Sequence, residues 1–296
     1  MGIVSRLQSW GSWLMADPVG FLIYLLYFAA SILLTLMLHE IAHGYVAWKC
    51  GDPTAKMLGR LSLDPRKHLD PIGTLCLVFL GFGWAKPVPV NPRNFRSYRR
   101  DDFLVSIAGV SVNLTIFLIA VLLSCVINRV MMGQELIATF IEAYDVGVEP
   151  FVSPLYNVGG AIMDGDWATL AEFFPYAYGG DLHSGIYIKE GWEALSSQLQ
   201  HPWLLYVQRA LLLLAQVNLT LAVFNLLPIP PLDGFHVVND ILLKGRLQLN
   251  HQLYQIARIA LFVLLLSGIL NTVLAFCVTN VYESVLRAFL ALTGQM

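Results

Sequence analysis

Within a long apolar run the chain reads His39-Glu40-Ile41-Ala42-His43. On an α-helix positions i and i+4 share a face, so the two imidazoles can offer nitrogens to one tetrahedral metal ion. Glu40 falls on the same side, three residues before His43, where a carboxylate can take a proton from a water that the metal activates. Two core histidines hydrogen-bonded to backbone would also account for the residue types. The setting argues against that: an ionisable side chain at membrane depth costs on the order of 2–3 kcal/mol or more, and here three are concentrated within one short stretch of helix.

Two histidines leave a tetrahedral site short of a protein ligand. The best candidate for the third is Asp233, which ends the segment Asn225-Leu226-Leu227-Pro228-Ile229-Pro230-Pro231-Leu232-Asp233-Gly234. Its prolines forbid an ordinary helix, and Asp233-Gly234 is expected to terminate the stretch in a tight bend that displays the carboxylate on broken backbone. Asp70, Asp101, Asp102 and His236 are rivals, each of which could instead be a solvated loop residue or a helix cap. Asn113, in Ala108-Gly109-Val110-Ser111-Val112-Asn113, is the remaining polar anomaly. It either bonds a neighbouring helix or donates a hydrogen bond to the oxyanion or the substrate backbone. Gly109 is read as permitting close approach of helices.

The elements that must hold these groups are membrane helices. Among 296 residues 57% are hydrophobic and 13% charged, with a mean hydropathy of +0.64, so a water-soluble chain would lack the charge to cover its surface. Four stretches reach the roughly 20 apolar residues of a crossing: 20–48, 103–131, 203–227 and 256–282. A fifth, 72–84, is too short, carries Gly73, Gly81 and Gly83, and precedes Pro87 and Pro89, which fits a re-entrant or β-hairpin segment. The first seventeen residues, with Arg6 and two tryptophans, are expected to form an interfacial helix. The expected fold is therefore an all-α polytopic membrane protein with about four full transmembrane helices and a re-entrant segment near the cytoplasmic face. Its divisions are an N-terminal membrane half (1–131), an acidic extracytoplasmic insertion (132–202) and a C-terminal membrane half (203–296).

Charge orients these elements, because short cytoplasmic loops collect lysine and arginine. Residues 49–100 hold ten of the eighteen basic residues against three acids, whereas 132–202 hold ten acids against Lys189 alone. The first segment is expected inside, the second outside, and the N-terminus outside. His39 lies about 28 Å along a helix from Gly20, at the inner margin of an apolar core about 30 Å thick, and Asp233 arrives at the same margin. The net charge of −2 leaves no basic excess for nucleic-acid phosphates. The four cysteines show no C-x-x-C spacing and define no disulfide framework or cysteine metal site.

Taken in chain order, these motifs resemble the site-2 protease family of intramembrane zinc metalloproteases, above all its compact prokaryotic members. The likeness rests on His39-Glu40-Ile41-Ala42-His43, Gly109-x-x-x-Asn113 and Asn225-x-x-Pro228-x-Pro230-x-Leu232-Asp233-Gly234. Gly83-Trp84-Ala85-Lys86-Pro87-Val88-Pro89-Val90 also looks like the family's membrane-associated β segment. The resemblance covers roughly residues 20–128 and 203–245. It implies one zinc ion per chain held by His39, His43 and Asp233, Glu40 as general base, and Asn113 assisting at the oxyanion or substrate. The implied reaction is hydrolysis of peptide bonds in or near transmembrane segments of membrane-protein substrates, in the bilayer of a prokaryotic cell membrane, with the site near the cytoplasmic face.

A substrate helix must unwind before cleavage, and an exposed edge at Leu61–Leu63 or Val88–Val90 could hold it extended. Residues 132–202 match nothing in the family and are expected to fold over the outer face and control lateral entry. A membrane metal-ion transporter and a catalytically silent substrate-binding homologue are the alternatives. Glu40 speaks against the silent binder, and the lack of a second polar helix speaks against a transport path. No residue pattern specifies an oligomeric state.

Overall fold

The computed structural model describes residues 10–12, 14, 15, 18–70, 73, 85–144, 200, 201, 203–247, 249–267 and 269–295. Helix α1 (Pro18–Cys50) begins with a proline whose missing N–H would be unpaired there in any case. It ends at Gly51, whose φ of +113° allows the N–H groups of Gly51 and Asp52 to fold back onto the carbonyls of Trp48 and Ala47. Helix α2 (Tyr98–Tyr144) is capped by Asp101, which accepts from Ser97 N at 2.8 Å, and is kinked at Gly133. Helix α3 (Leu204–Asn225) stops just before the proline-rich segment, and α4 (Asp233–Ile241), α5 (His251–Ser267) and α6 (Ile269–Leu292) follow. Among the described residues four stretches are long and apolar enough to cross a membrane: Phe21–Cys50, Tyr98–Met131, Tyr206–Asn225 and Thr272–Leu292.

The fourth of these overlaps the expected crossing at 256–282 from Thr272 on. Helices α5 and α6 are described on either side of residue 268, which lies outside the described residues. A correction concerns Asp233-Gly234, which opens α4 rather than closing the segment in a bend. The expected re-entrant segment lies outside the described residues at 72 and 74–84. Its flanks meet through a single antiparallel bridge between Leu69 and Ala85, with Lys86 N donating to His68 O at 2.8 Å. No strand occurs among the described residues. Most of the acidic insertion (145–199) and most of the expected interfacial helix (1–9, 13, 16, 17) also lie outside them.

The chain packs as two compact units that cut across its linear halves. One contains Met1–Ser31, Phe117–Gln216 and Ala275–Met296. Buried amides tie its helices: Asn128 Nδ2 donates to Gln295 Oε1 and Gln295 Nε2 to Cys125 O, both at 2.8 Å, while Gln208 Nε2 donates to Ser124 O at 3.0 Å. The Phe117 and Tyr282 rings of the same unit pack against each other with centroids 5.9 Å apart.

The other unit, Ile32–Ile116 with Val217–Leu274, holds every residue singled out above for chemistry. In it α3 is fixed to α1 by the fully buried Asn218, which donates to Thr35 Oγ1 at 2.8 Å one turn before His39. Leu232 seats the proline-rich segment among Leu261, Leu270 and Leu274. Just past α1, the fully buried Asp52 gathers the loop around itself, accepting from Asn91 N and Asn94 Nδ2 at 2.7 Å and from Thr54 N at 3.2 Å.

Burial pushes the Asp52 carboxyl up, but its hydrogen bonds from Thr54, Asn91 and Asn94 outweigh that and hold it below the ordinary value. The folded value is the lower one, so the stabilisation is present above the ordinary value of 3.8 and is lost as pH falls from there through the folded value. Asp52→Ala is expected to cost about 2 kcal/mol or more, because buried donors lose their acceptor. Thermal unfolding in detergent should show this deficit at pH 7 and a smaller difference between parent and variant below about pH 3.

Candidate metal centre

Helical spacing brings His39 and His43 onto one face of α1, with rings 4.5 Å apart and Nε2 atoms 2.9 Å apart. Asp233, at the first position of α4, sets its Oδ2 3.3 Å from both of those nitrogens. These are the three groups that could share one ion, their candidate ligand atoms lying within 4.8 Å of one another. Zinc bonds of about 2.0–2.1 Å in a tetrahedron place neighbouring ligand atoms about 3.3 Å apart. The observed spacing therefore suits a tetrahedral ion.

Proton bookkeeping leads to the same ion. His43 Nδ1 lies 2.7 Å from Val105 O, and a carbonyl only accepts, so Nδ1 carries the proton and Nε2 of a neutral ring keeps its lone pair. His39 Nδ1 lies 3.1 Å from the amide of Asn113, which is fully buried. An amide can present either end: with Oδ1 turned to the ring, Nδ1–H donates and this Nε2 is a lone pair too. An ionised Asp233 carboxylate can only accept, and its buried Oδ2 makes no well-formed hydrogen bond. Three acceptors thus face one another, and a cation between them is what relieves their repulsion.

Gly109 makes this geometry possible. A Cβ built there would fall 2.5 Å from His39 Cε1 and from His43 Nε2. A helical side chain also covers the turn before its own Cα, so a bare Gly109 leaves the carbonyl of Val105, four residues earlier, open to His43. Gly234 is constrained as tightly, since its Cβ would meet Leu226 O at 2.2 Å and Leu227 O at 2.6 Å. The Asp-Gly pair therefore places a ligand beside a position where the returning backbone leaves no room for a side chain.

Glu40 stands apart from the three. Its Oε2 accepts from Val88 N at 2.7 Å, in the extended stretch after Ala85. Val88 is buried and packs toward Gly44. The edge suggested at Val88–Val90 is thus already engaged through its Val88 N–H, and Pro87 and Pro89 have none to offer.

The rival ligands go elsewhere. Asp70 Oδ1 accepts from Gly73 N at 2.8 Å, Asp101 caps α2, and His236 Nδ1 pairs with Asp102 Oδ2 at 3.1 Å. The Asp102 carboxylate raises the His236 imidazole above its ordinary value, against the effect of burial. Burial and the neighbouring Asp102 charge push the Asp240 carboxyl up to about 6. An apolar groove of about 490 Å³, lined by Leu38, Ala42, Tyr45, Leu104, Ala108 and Val112, opens on a different face of α1 from the imidazoles. The contacts with Val105 O and Val88 N were beyond sequence reasoning, since backbone groups leave no mark in residue identity. Asp102, Gly109 and Asn113 do share a face of α2, and that spacing was a usable signal.

Two imidazoles one helical turn apart and a distant carboxylate, among membrane-length helices, form a group that could hold one metal ion. The pattern of peptidase family M50 matches residues 27–268. "Putative zinc metalloprotease YwhC" of Bacillus subtilis (strain 168) is 33% identical over 219 residues, covering 74% of this chain and 70% of that protein. "Putative zinc metalloprotease Rip2" of Mycobacterium tuberculosis (strain H37Rv) is 35% identical over 114 residues, 36% of this chain and 43% of that protein. Its namesake in Mycolicibacterium smegmatis is 32% identical over 113 residues, with the same shares. No solved structure shows a significant match. The chain belongs to peptidase family M50, the site-2 proteases.

Gly109→Ala is expected to displace both imidazoles and lower zinc affinity roughly tenfold or more. Competition against a chromophoric chelator measures it, with Gly44→Ala, next to His43 on the same helix but facing Leu61 and Val88 rather than the imidazoles, as the comparison that should leave zinc in place.

Proposed function

We propose that this chain is an intramembrane zinc metalloprotease in which His39, His43 and Asp233 hold one zinc ion and Glu40 is the general base. The convergence of three lone-pair donors at 2.9–3.3 Å in a member of a peptidase family carries this reading. The substrates are membrane proteins cut in or near a transmembrane segment. The concentration of basic residues between the first two crossings supports a cytoplasmic position for that loop, an N-terminus outside, and a site near the inner face of a prokaryotic cell membrane.

Zinc, when bound, supplies a Lewis acid that polarises the scissile carbonyl and makes water acidic enough to attack near neutral pH. Glu40, on the ligand helix next to His39, accepts a proton from the attacking water and delivers it to the departing amine. Its bond to Val88 N orients the carboxyl group before substrate arrives. Asn113 lies behind His39 and serves by fixing that imidazole's tautomer and pitch. Val105 O does the same for His43.

Glu40→Gln is expected to retain about one zinc per chain and to lose cleavage of a membrane-protein substrate by about 10²-fold or more. Asp233→Ala should lose both zinc and cleavage. Metal content by atomic emission and cleavage in proteoliposomes measure the two. Full cleavage by Glu40→Gln would overturn the assignment.

A further inference from the structure

The third ligand of this site sits on a short helix that cannot hold its own position. Helix α4 has nine residues, too few to be stable alone, and follows a proline-rich segment with few helical hydrogen bonds. Its direction and roll are therefore set by what it packs against. The apolar seat at Leu232 anchors its start but is not directional. Roll matters: a carboxylate about 5–6 Å from a helix axis moves about 1 Å for every 10° of rotation, whereas metal–ligand distances tolerate about 0.2 Å.

The directional contacts come from α2. His236 lies three residues after Asp233 and so on the same face of α4. Its Nδ1 meets Asp102 Oδ2 at 3.1 Å. At the far end of α4, Arg99 Nε donates to the Asp240 carbonyl at 2.8 Å, where a cation also complements the helix C-terminus. Arg99 and Asp102 are three residues apart on α2, and the face they begin continues through Gly109 and Asn113. One helix thus grips the aspartate-bearing element and supports both imidazoles.

We infer that Asp102 and His236 form a positioning pair that sets the roll of α4 and so holds the Asp233 carboxylate on the ion. The inference rests on the proposed ligand assignment. Neither residue touches the reacting atoms. Their part is to keep a short helix from trading ligand geometry for looser apolar packing.

The test uses the full-length chain in detergent, with zinc affinity read by competition against a chromophoric chelator and folding checked by thermal unfolding of the zinc-free protein. His236→Ala and Asp102→Ala are each expected to weaken zinc binding roughly tenfold. The double variant should be no weaker than the worse single one, because both break one interaction. His236→Arg, which keeps a cation opposite Asp102, should restore affinity to within about threefold of the parent. If an alanine variant does not fold, Asp102→Asn and His236→Gln carry the same comparison. Parent-like affinity in the neutralised variants, additive losses in the double, or no rescue by arginine would overturn the inference. Asp233→Ala separates the two levels. If it loses zinc while the pair variants keep it, only the positioning role fails. If it retains zinc, the ligand assignment fails and the positioning role with it.

Discussion

Two imidazole nitrogens and a carboxylate oxygen face one another at 2.9–3.3 Å, and each presents a lone pair. In water such a cluster would disperse or protonate. Among apolar helices neither escape is cheap, because isolated buried charge is penalised far more than in solvent. The arrangement persists only if something positive sits at its centre or the surrounding structure holds it open for that occupant. Much of the unit around it serves the second requirement. Val105 O and the Asn113 amide fix the rings from behind, Gly109 leaves them room, and the Thr35–Asn218 bond holds α3 to the ligand helix one turn away.

The proline-rich segment takes its meaning from the same constraint. A helix continuing past Asn225 would carry its residues onward along its own axis. The break at Pro228, Pro230 and Pro231 lets the chain fold back, so that Leu226 and Leu227 carbonyls pack onto Gly234 and a new helix starts with Asp233 at its first position. A carboxylate at a helix N-terminus also faces favourable backbone dipoles. Ordering such a turn requires contacts on both sides. The leucine cluster around Leu232 supplies the apolar side and α2 the polar one.

Much of this was legible along the chain. His39, Glu40 and His43 announce themselves because helical spacing is local, and three of the four expected crossings lie within a few residues of their observed bounds, because twenty apolar residues have few other uses. The fourth overlaps its expected run from Thr272 on. Asp233-Gly234 was recognised as a displayed carboxylate yet read as a bend, because the pair is equally suited to ending a turn and to opening a helix.

What the residues determined by themselves is the chemistry available: a metal-binding pair, a base and a broken segment bearing a carboxylate, in a chain too apolar to live in water. Tertiary structure decided which carboxylate joins the pair. Asp70, Asp101, Asp102 and Asp233 are the same group in the sequence, and they differ only in what stands opposite each. One caps a turn, one caps a helix, one pairs with His236, and one meets two imidazoles. Hydrogen-bond partners contributed by residues far apart in the chain, including bare backbone such as Val105 O and Val88 N, make that choice, and no local pattern of side chains encodes them.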